Sequence, residues 1–260
     1  MIMLDGKCEI GCSGYYYPQW KEKFYPRGTP PSRWLEYYSS VFNAVELNGT
    51  FYRTPTLESL KKYFNATPGE FRFSVKINKY ITHILRMRGT KDMIADLVKL
   101  MEDGLEHKLS SILFQLPPSF VCNEENMSLL FENIPGGSRQ VVELRHASWK
   151  PADMDLFKRK NITFCNSDYP GIENKFIATS SEFYMRLHGV PDLFKSSYSE
   201  KSLEQMLERI PRGCDTYHIF FNNTYYQAAY LNATSLMRMI SGGENTGGSN
   251  NTLCPKVHRS

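Results

Sequence analysis

Apolar and polar residues alternate along eight short segments of the chain, a pattern that predicts β-strands. The clearest case is residues 71–77, where aromatic and β-branched side chains alternate with Arg72, Ser74 and Lys76. Similar alternation, or a short apolar run bounded by turn residues, marks the other segments. The predicted strands are residues 7–12, 43–48, 71–77, 110–116, 141–145, 162–166, 183–188 and 217–222.

Segments with a helical spacing of apolar residues separate most of these strands. After the third strand, for example, Met93, Ile94, Leu97 and Met101 recur three or four residues apart. Strand and helix therefore alternate about eight times, which predicts an α/β fold, a single (β/α)8 TIM-type barrel. Little sequence separates the sixth and seventh strands, so we expect the helix there to be reduced or missing.

The expected domain organisation is one barrel over residues 1–240. Residues 241–260 are rich in Gly, Asn and Ser, and we expect them to form a disordered tail. The competing fold is a doubly wound open sheet. No Gly-x-Gly-x-x-Gly motif follows any predicted strand, which favours the barrel.

Composition limits the classes of partner. Hydrophobic residues make up 41% of the 260 residues and charged residues 22%, as in ordinary globular proteins. The net charge of +4 gives weak support to an anionic partner, and no dense Lys or Arg run indicates a nucleic-acid arm. No apolar stretch of about 18 residues predicts a membrane span, and no signal peptide is evident. The cysteines form no Cys-x-x-Cys pair, so we expect free thiols and a cytoplasmic protein of unknown oligomeric state.

Polar residues collect at the carboxyl ends of the predicted strands, where barrels of this type place their active sites. These positions carry Glu46, Asn48, Lys76, Gln115, Glu143, Arg145, Asp168, Arg186, His188 and Asn222. Strands buried on both faces should be apolar throughout, so polar residues at nearly every end indicate a pocket. Ion pairs that bridge the barrel mouth are the structural alternative, although desolvating so many charges would be costly.

The residue types predict roles within this pocket. We interpret Glu143 as the general acid or base and Glu46 as a second carboxylate, with Lys76 and His188 as further catalytic groups. The predicted substrate-binding residues are Asn48, Gln115, Arg145, Asp168, Arg186, Asn222 and Tyr15. The cationic members favour a small anionic substrate that carries phosphate or carboxylate. His83 and His146 lie in predicted loops and are interpreted as scaffold residues. The aromatic segment of residues 15–20 would form a lid, a stacking platform or an apolar plug.

Three functions remain open at this point. The first is an enzyme that uses acid–base chemistry on a small anionic substrate. The second is a divalent-metal-dependent phosphoesterase or nuclease, in which Glu46, Glu143, Asp168 and His188 would hold the metal. No His-x-His or His-Glu-x-x-His spacing supports a metal, and we predict no cofactor. The third is a non-catalytic protein that binds a metabolite or a nucleic acid.

Eight motifs occur in a fixed order along the chain. They are Gly11-Cys12-Ser13-Gly14, Phe24-Tyr25-Pro26, Glu46-x-Asn48-x-Thr50-Phe51-Tyr52-Arg53, Ile81-Thr82-His83, Gln115-Leu116-Pro117-Pro118, Glu143-x-Arg145-His146-x-Ser148-Trp149, Arg186-x-His188-Gly189 and Phe221-Asn222-Asn223. This set resembles the YecE-like family, also called domain of unknown function 72, over about residues 8–240. The resemblance implies a TIM-type barrel in a bacterial-type cytoplasmic protein, and it implies no reaction. Tyr15 and Thr224 stand where the family usually carries Trp and Asp.

Overall fold

Eight parallel strands form the centre of the molecule, and their ends lie within two residues of the predicted ones. The structure is a computed structural model that describes residues 4–242. The strands are β1 (Lys7–Cys12), β2 (Ala44–Leu47), β3 (Arg72–Lys76), β4 (Leu109–Gln115), β5 (Gln140–Glu143), β6 (Thr163–Asp168), β7 (Glu182–Leu187) and β8 (Thr216–Phe221). Their hydrogen-bonded order is β1-β8-β7-β6-β5-β4-β3-β2, which closes the sheet around all but one seam.

Helices follow seven of the eight strands in the described chain. They are α1 (Trp34–Val41), α2 (Leu57–Asn65), α3 (Lys91–Leu105), α4 (Glu124–Asn133), α5 (Met154–Lys160), α6 (Glu200–Arg209) and α7 (Ala228–Ser241). The strands and helices together form the predicted (β/α)8 TIM-type barrel, so that prediction is confirmed. Residues 243–260 of the predicted tail lie outside the described residues. In the described chain, no helix combines the length and apolar character that crossing a membrane needs.

The connection between β6 and β7 has no α-helix, as the short sequence predicts. Residues 177–179 of this connection instead lie beside β6, held by side-chain hydrogen bonds. The side-chain amide of Asn166 donates to the carbonyl of Ile177 and accepts from the same residue's N–H. Thr179 accepts from the N–H of Phe164 through its hydroxyl oxygen. Side chains therefore satisfy backbone groups both of this connection and of β6.

The seam between β1 and β2 is closed by side chains. The amide of Asn43 accepts from the N–H of Ile10 at 2.9 Å and donates to the carbonyl of Cys8 at 2.7 Å. The hydroxyl of Tyr38 accepts from the N–H of Cys12 and donates to the carbonyl of Ala44. These four bonds replace a backbone ladder, so the barrel has no open edge at the seam.

Side chains inside the barrel are arranged in layers along its axis. At the amino end, the His218 imidazole lies between two carboxylates, 3.0 Å from Glu9 and 2.9 Å from Glu182. Burial alone would lower the pKa of His218, but these carboxylates outweigh it and raise that pKa to about 9. A middle layer is apolar and comprises Ala44, Leu113, Val141, Cys165, Tyr184 and Phe220. The polar carboxyl end therefore stands above a closed floor, and a second, larger core packs the helices against the outside of the sheet.

Candidate functional site

Arg186 lies at the centre of the carboxyl end and joins two carboxylates from opposite sides of the barrel. Its Nε and Nη2 bind the two carboxylate oxygens of Glu46 at 2.9 and 2.6 Å. Its Nη1 binds Oε2 of Glu143 at 2.6 Å. All three side chains are buried, with relative exposures of 0%. A guanidinium that satisfies two buried carboxylates in this geometry fixes the positions of β2, β5 and β7 relative to one another.

Glu143 accepts four hydrogen bonds. Its Oε1 accepts from Arg145 Nε at 3.0 Å, His188 Nε2 at 3.1 Å and Ser167 Oγ at 3.1 Å, and its Oε2 accepts from Arg186. Burial alone would raise the pKa of Glu143, but the guanidinium groups of Arg145 and Arg186 outweigh it. They hold this pKa well below its usual range. The carboxylate is therefore charged at neutral pH, fully bonded and shielded from solvent.

Glu46 has a similar environment on the opposite side of Arg186. The hydroxyl of Tyr184 donates to its Oε2 at 2.7 Å. Burial alone would raise the pKa of Glu46, but the charge of Arg186 outweighs it and lowers that pKa. The two carboxylates and the guanidinium groups of Arg145 and Arg186 thus sum to zero charge. Any further cation at the mouth has no carboxylate left to balance it.

Lys76 is that further cation. It is the last residue of β3, it is 8% exposed, and its Nζ lies 3.9 Å from the centre of the Phe51 ring. Among the described residues, its Nζ has no hydrogen-bond acceptor and no ion-pair partner. Burial, and then the charge of Arg186, lowers the pKa of Lys76 to about 7. The amine is therefore close to half protonated at neutral pH.

A cleft of about 440 Å³ opens above these groups. Its lining residues come from the loops and strand ends of six βα units, and they are Asn48, Phe51, Tyr52, Lys76, His83, Gln115, Pro118, Arg145, Arg186, Phe194, Asn222 and Thr224. Arg145 uses its Nε for Glu143, and its guanidinium lies 4.7 Å from the centre of the Tyr169 ring. Its two Nη groups donate to no described residue. Lys76 and Arg145 therefore give the cleft two cationic groups with free donors.

The two histidines of the site have different positions. His188 is buried behind Glu143, where its Nε2 donates to that carboxylate and its Nδ1 lies 2.9 Å from Asn222 Nδ2. His83 lines the cleft, and the Thr82 hydroxyl contacts its Nδ1 at 2.9 Å. Burial is the largest cause that lowers the pKa of each imidazole to about 4. Both rings are therefore neutral at neutral pH.

The structure brings most of the predicted site residues together. Glu46, Glu143, Arg186 and His188 form the buried base of the site, and Asn48, Lys76, Gln115, Arg145 and Asn222 line the cleft with Arg186. Asp168 lies elsewhere, because it accepts from the Tyr198 hydroxyl beside a separate cleft that α6 also lines. Tyr15 packs its ring against Tyr38 and Tyr63 instead of facing the mouth.

The aromatic segment that contains Tyr15 packs as an apolar plug. Trp20 is buried and donates its Nε1 to the carbonyl of Tyr226 at 2.8 Å. Tyr16 packs on Trp34 of α1 with ring centres 5.0 Å apart. These contacts fix the segment against α1 and the last βα unit, so its rings are used for packing.

The cleft also contains residues that the sequence pattern did not single out. Phe51, Tyr52, His83, Pro118, Phe194 and Thr224 belong to loops beyond the strand ends, where alternation carries no information. Phe51, Tyr52, His83 and Pro118 do belong to the motifs quoted above, and Thr224 is one of the two departures from the family pattern. Phe194 stands in a loop with no local signal. Loop conformation alone brings these residues to the mouth.

The residues of the mouth do not fit a metal centre. Among the described residues, no group of three or more His, Cys, Asp and Glu side chains is arranged to hold an ion. The reason is geometric, because the Arg186 guanidinium occupies the space between Glu46 and Glu143. Asp168, the third proposed ligand, lies in a different cleft.

The chain is similar in sequence to a family of known proteins. The family model described as "Protein of unknown function DUF72" matches residues 9–255. The UPF0759 protein YunF of Bacillus subtilis is 25% identical over 257 residues, which cover 84% of this chain and 90% of that protein. The UPF0759 protein YecE of Escherichia coli is 31% identical over 130 residues, or 50% of this chain and 47% of that protein.

Solved structures show the same barrel. The crystal structure of a DUF72 family protein from Thermotoga maritima matches with a TM-score of 0.82 at 30% identity, covering 90% of this chain and 99% of that chain. A DUF72 family protein from Enterococcus faecalis matches with a TM-score of 0.75 at 20% identity, covering 91% and 98%. The first agrees in fold and sequence, and the second supports the fold alone.

Proposed function

The chain belongs to the DUF72 family of proteins of unknown function, and we propose that it is an enzyme for a small anionic substrate with Lys76 as its proton-transfer group. The observation that carries this proposal is the unpaired amine of Lys76 in the cleft, close to half protonated at neutral pH. A group with a pKa near the working pH is the most effective in general acid–base catalysis. The cationic lining supplies the preference for an anion.

We assign proton transfer to Lys76 in preference to Glu143, the sequence-based choice. Glu143 accepts four hydrogen bonds, is 0% exposed and has a pKa well below its usual range. A carboxylate in that state is a poor proton acceptor and does not reach a substrate in the cleft. Its role in the proposal is to orient Arg145 and, together with Glu46, to hold Arg186.

The substrate anion would be bound by Arg145 and by the protonated form of Lys76. The free Nη groups of Arg145 have the fork geometry that suits a carboxylate or a phosphate. Asn48, Gln115 and Asn222 line the same cleft and supply amide groups for the uncharged part of the ligand. A volume of about 440 Å³ suits a metabolite of modest size.

Calorimetric titration with sulfate tests the anion site, because sulfate keeps its double charge across the neutral range. We expect affinity to fall as the pH rises through about 7, since Lys76 then loses its proton. Lys76→Met should weaken binding by about tenfold or more, the loss expected for one charge-assisted hydrogen bond. The matched control is Lys79→Met, which removes an exposed lysine three residues away. Equal affinity in wild type and Lys76→Met would contradict the proposal.

Catalysis itself is tested by a thermal-shift screen of phosphate- and carboxylate-bearing metabolites, followed by assays for consumption of those that stabilise the protein. An enzyme consumes a stabilising ligand, and Lys76→Met loses that turnover. A ligand that stabilises the wild type and is never consumed would identify a binding protein instead.

A further inference from the structure

The surroundings of Lys76 contain more than a cation for an anion to bind. Its Nζ has no acceptor among the described residues and lies against the face of the Phe51 ring, in a cleft that Arg145 also lines. A lysine that serves only as a charge commonly has a carboxylate partner, and here both nearby carboxylates are used by Arg145 and Arg186. The amine is therefore positioned as a nucleophile.

We propose that the substrate is a small oxo acid, and that Lys76 Nζ adds to its carbonyl carbon to form an imine. This inference rests on the proposed function, because it names the substrate class for the same cleft and makes the reactive amine of Lys76 the nucleophile as well as the source of the protons that move. The amine lone pair attacks the carbonyl carbon, and one N–H proton moves to the carbonyl oxygen. The carbinolamine then loses that hydroxyl with the second N–H proton as water, so one amine and one carbonyl compound give one imine and one water.

Two features of the cleft favour this product. A protonated imine keeps a positive charge at the position of Nζ, where the Phe51 ring face at 3.9 Å stabilises a cation. Burial and neighbouring cations are the two conditions that keep a lysine amine neutral enough to react, and Lys76 has both.

Arg145 would bind the carboxylate of the proposed oxo acid. Its two Nη groups are free, and its orientation is fixed by the Nε bond to Glu143 at 3.0 Å. A carboxylate bound there in a two-pronged manner would direct the adjacent carbonyl carbon toward Nζ. Arg145 is a binding residue in this scheme, and Lys76 is the catalytic residue.

Borohydride trapping tests the imine directly. The full-length protein is incubated with pyruvate or glyoxylate in the presence of sodium borohydride, and its intact mass and peptide map are measured. We expect one adduct per chain, equal in mass to the oxo acid less one oxygen atom, on Lys76. Lys76→Arg and Lys76→Met should lose the adduct while they keep the wild-type circular dichroism, and Lys79→Arg should retain it.

Arg145→Met separates carboxylate binding by Arg145 from imine formation by Lys76. It should reduce trapping of pyruvate at least tenfold and reduce trapping of acetone, which has no carboxylate, by a clearly smaller factor, because Arg145 also helps to keep the Lys76 amine neutral. Absence of any adduct with both oxo acids, or adducts spread over surface lysines in every variant, would overturn the inference. Sulfate binding that still depends on Lys76 in that case would leave the anion site of the proposed function intact.

Discussion

At the scale of single residues, the mouth of the barrel contains two buried cations with opposite situations. Arg186 has a carboxylate oxygen on each of Nε, Nη1 and Nη2, whereas Lys76 has no acceptor among the described residues. The first is held as part of the fold, and the second is available for chemistry. Ionisable groups with strongly shifted pKa values and no structural partner are typical of functional sites.

Arg186 and Arg33 allow a matched test of this structural role. Each places Nη2 at 2.6 Å from Oε1 of a glutamate, but the Arg186–Glu46 pair is buried and the Arg33–Glu36 pair is exposed. We expect Arg186→Met to lower the free energy of unfolding by about 3–5 kcal/mol, because buried Glu46 loses its ion-pair partner and buried Glu143 loses one of its two guanidinium partners. Arg33→Met should leave stability nearly unchanged, because solvent screens an exposed ion pair. Urea denaturation measures both, and similar losses in the two variants would show that burial is not the cause.

The sequence predicts which residues lie at the mouth. It does not predict which cation pairs with the carboxylates and which stays unpaired. Alternation placed Glu46, Glu143, Arg186 and Lys76 at strand ends, and parallel strands bring such ends together. Which cation takes the carboxylates depends on the reach of each side chain across the barrel. Arg186 reaches both glutamates from β7, and this distance is set by the closed sheet and not by any local pattern.

At the scale of elements, the strands were predictable because each has an apolar outer face and ends at turn residues. The missing helix after β6 was also predictable from the length of the connection. The closure of the seam between β1 and β2 by side chains was not predictable. Asn43 follows a helix and Tyr38 lies on α1, and neither position indicates that its side chain replaces strand-to-strand bonds.

The close approach at this seam explains Gly11. A Cβ atom there would lie 1.9 Å from the carbonyl oxygen of Ala44 on β2. We expect Gly11→Ala to force β1 and β2 apart and to cost about 2 kcal/mol or more, since backbone cannot yield as a flexible side chain does. Gly69→Ala is the control, because nothing lies within 4 Å of its Cβ position. Thermal or urea unfolding compares them, and a Gly11→Ala protein as stable as Gly69→Ala would contradict this account of the seam.

At the scale of the whole molecule, the pKa of Lys76 depends on the closure of the barrel, which brings residues of several strands to its amine. Lys76 belongs to β3, and the charges that act on it come from Arg186 and Glu143, on β7 and β5, from Arg145 after β5, and from Glu46 on β2. Burial of the Lys76 side chain is the largest of the causes that lower its pKa. No local stretch of sequence contains these influences, so the state of this amine could not be predicted before the fold was known.

The central claim is that strand ends from around the barrel create one cleft with a reactive, unpaired amine. The most direct test is an NMR titration of the lysine side-chain Cε and Nζ signals of the free protein, with Lys76 assigned from the spectrum of Lys76→Arg. The account predicts a midpoint of about 7 for Lys76. A midpoint near 10.5, the usual value for lysine, would mean that the amine is solvated or paired, and it would contradict the claim.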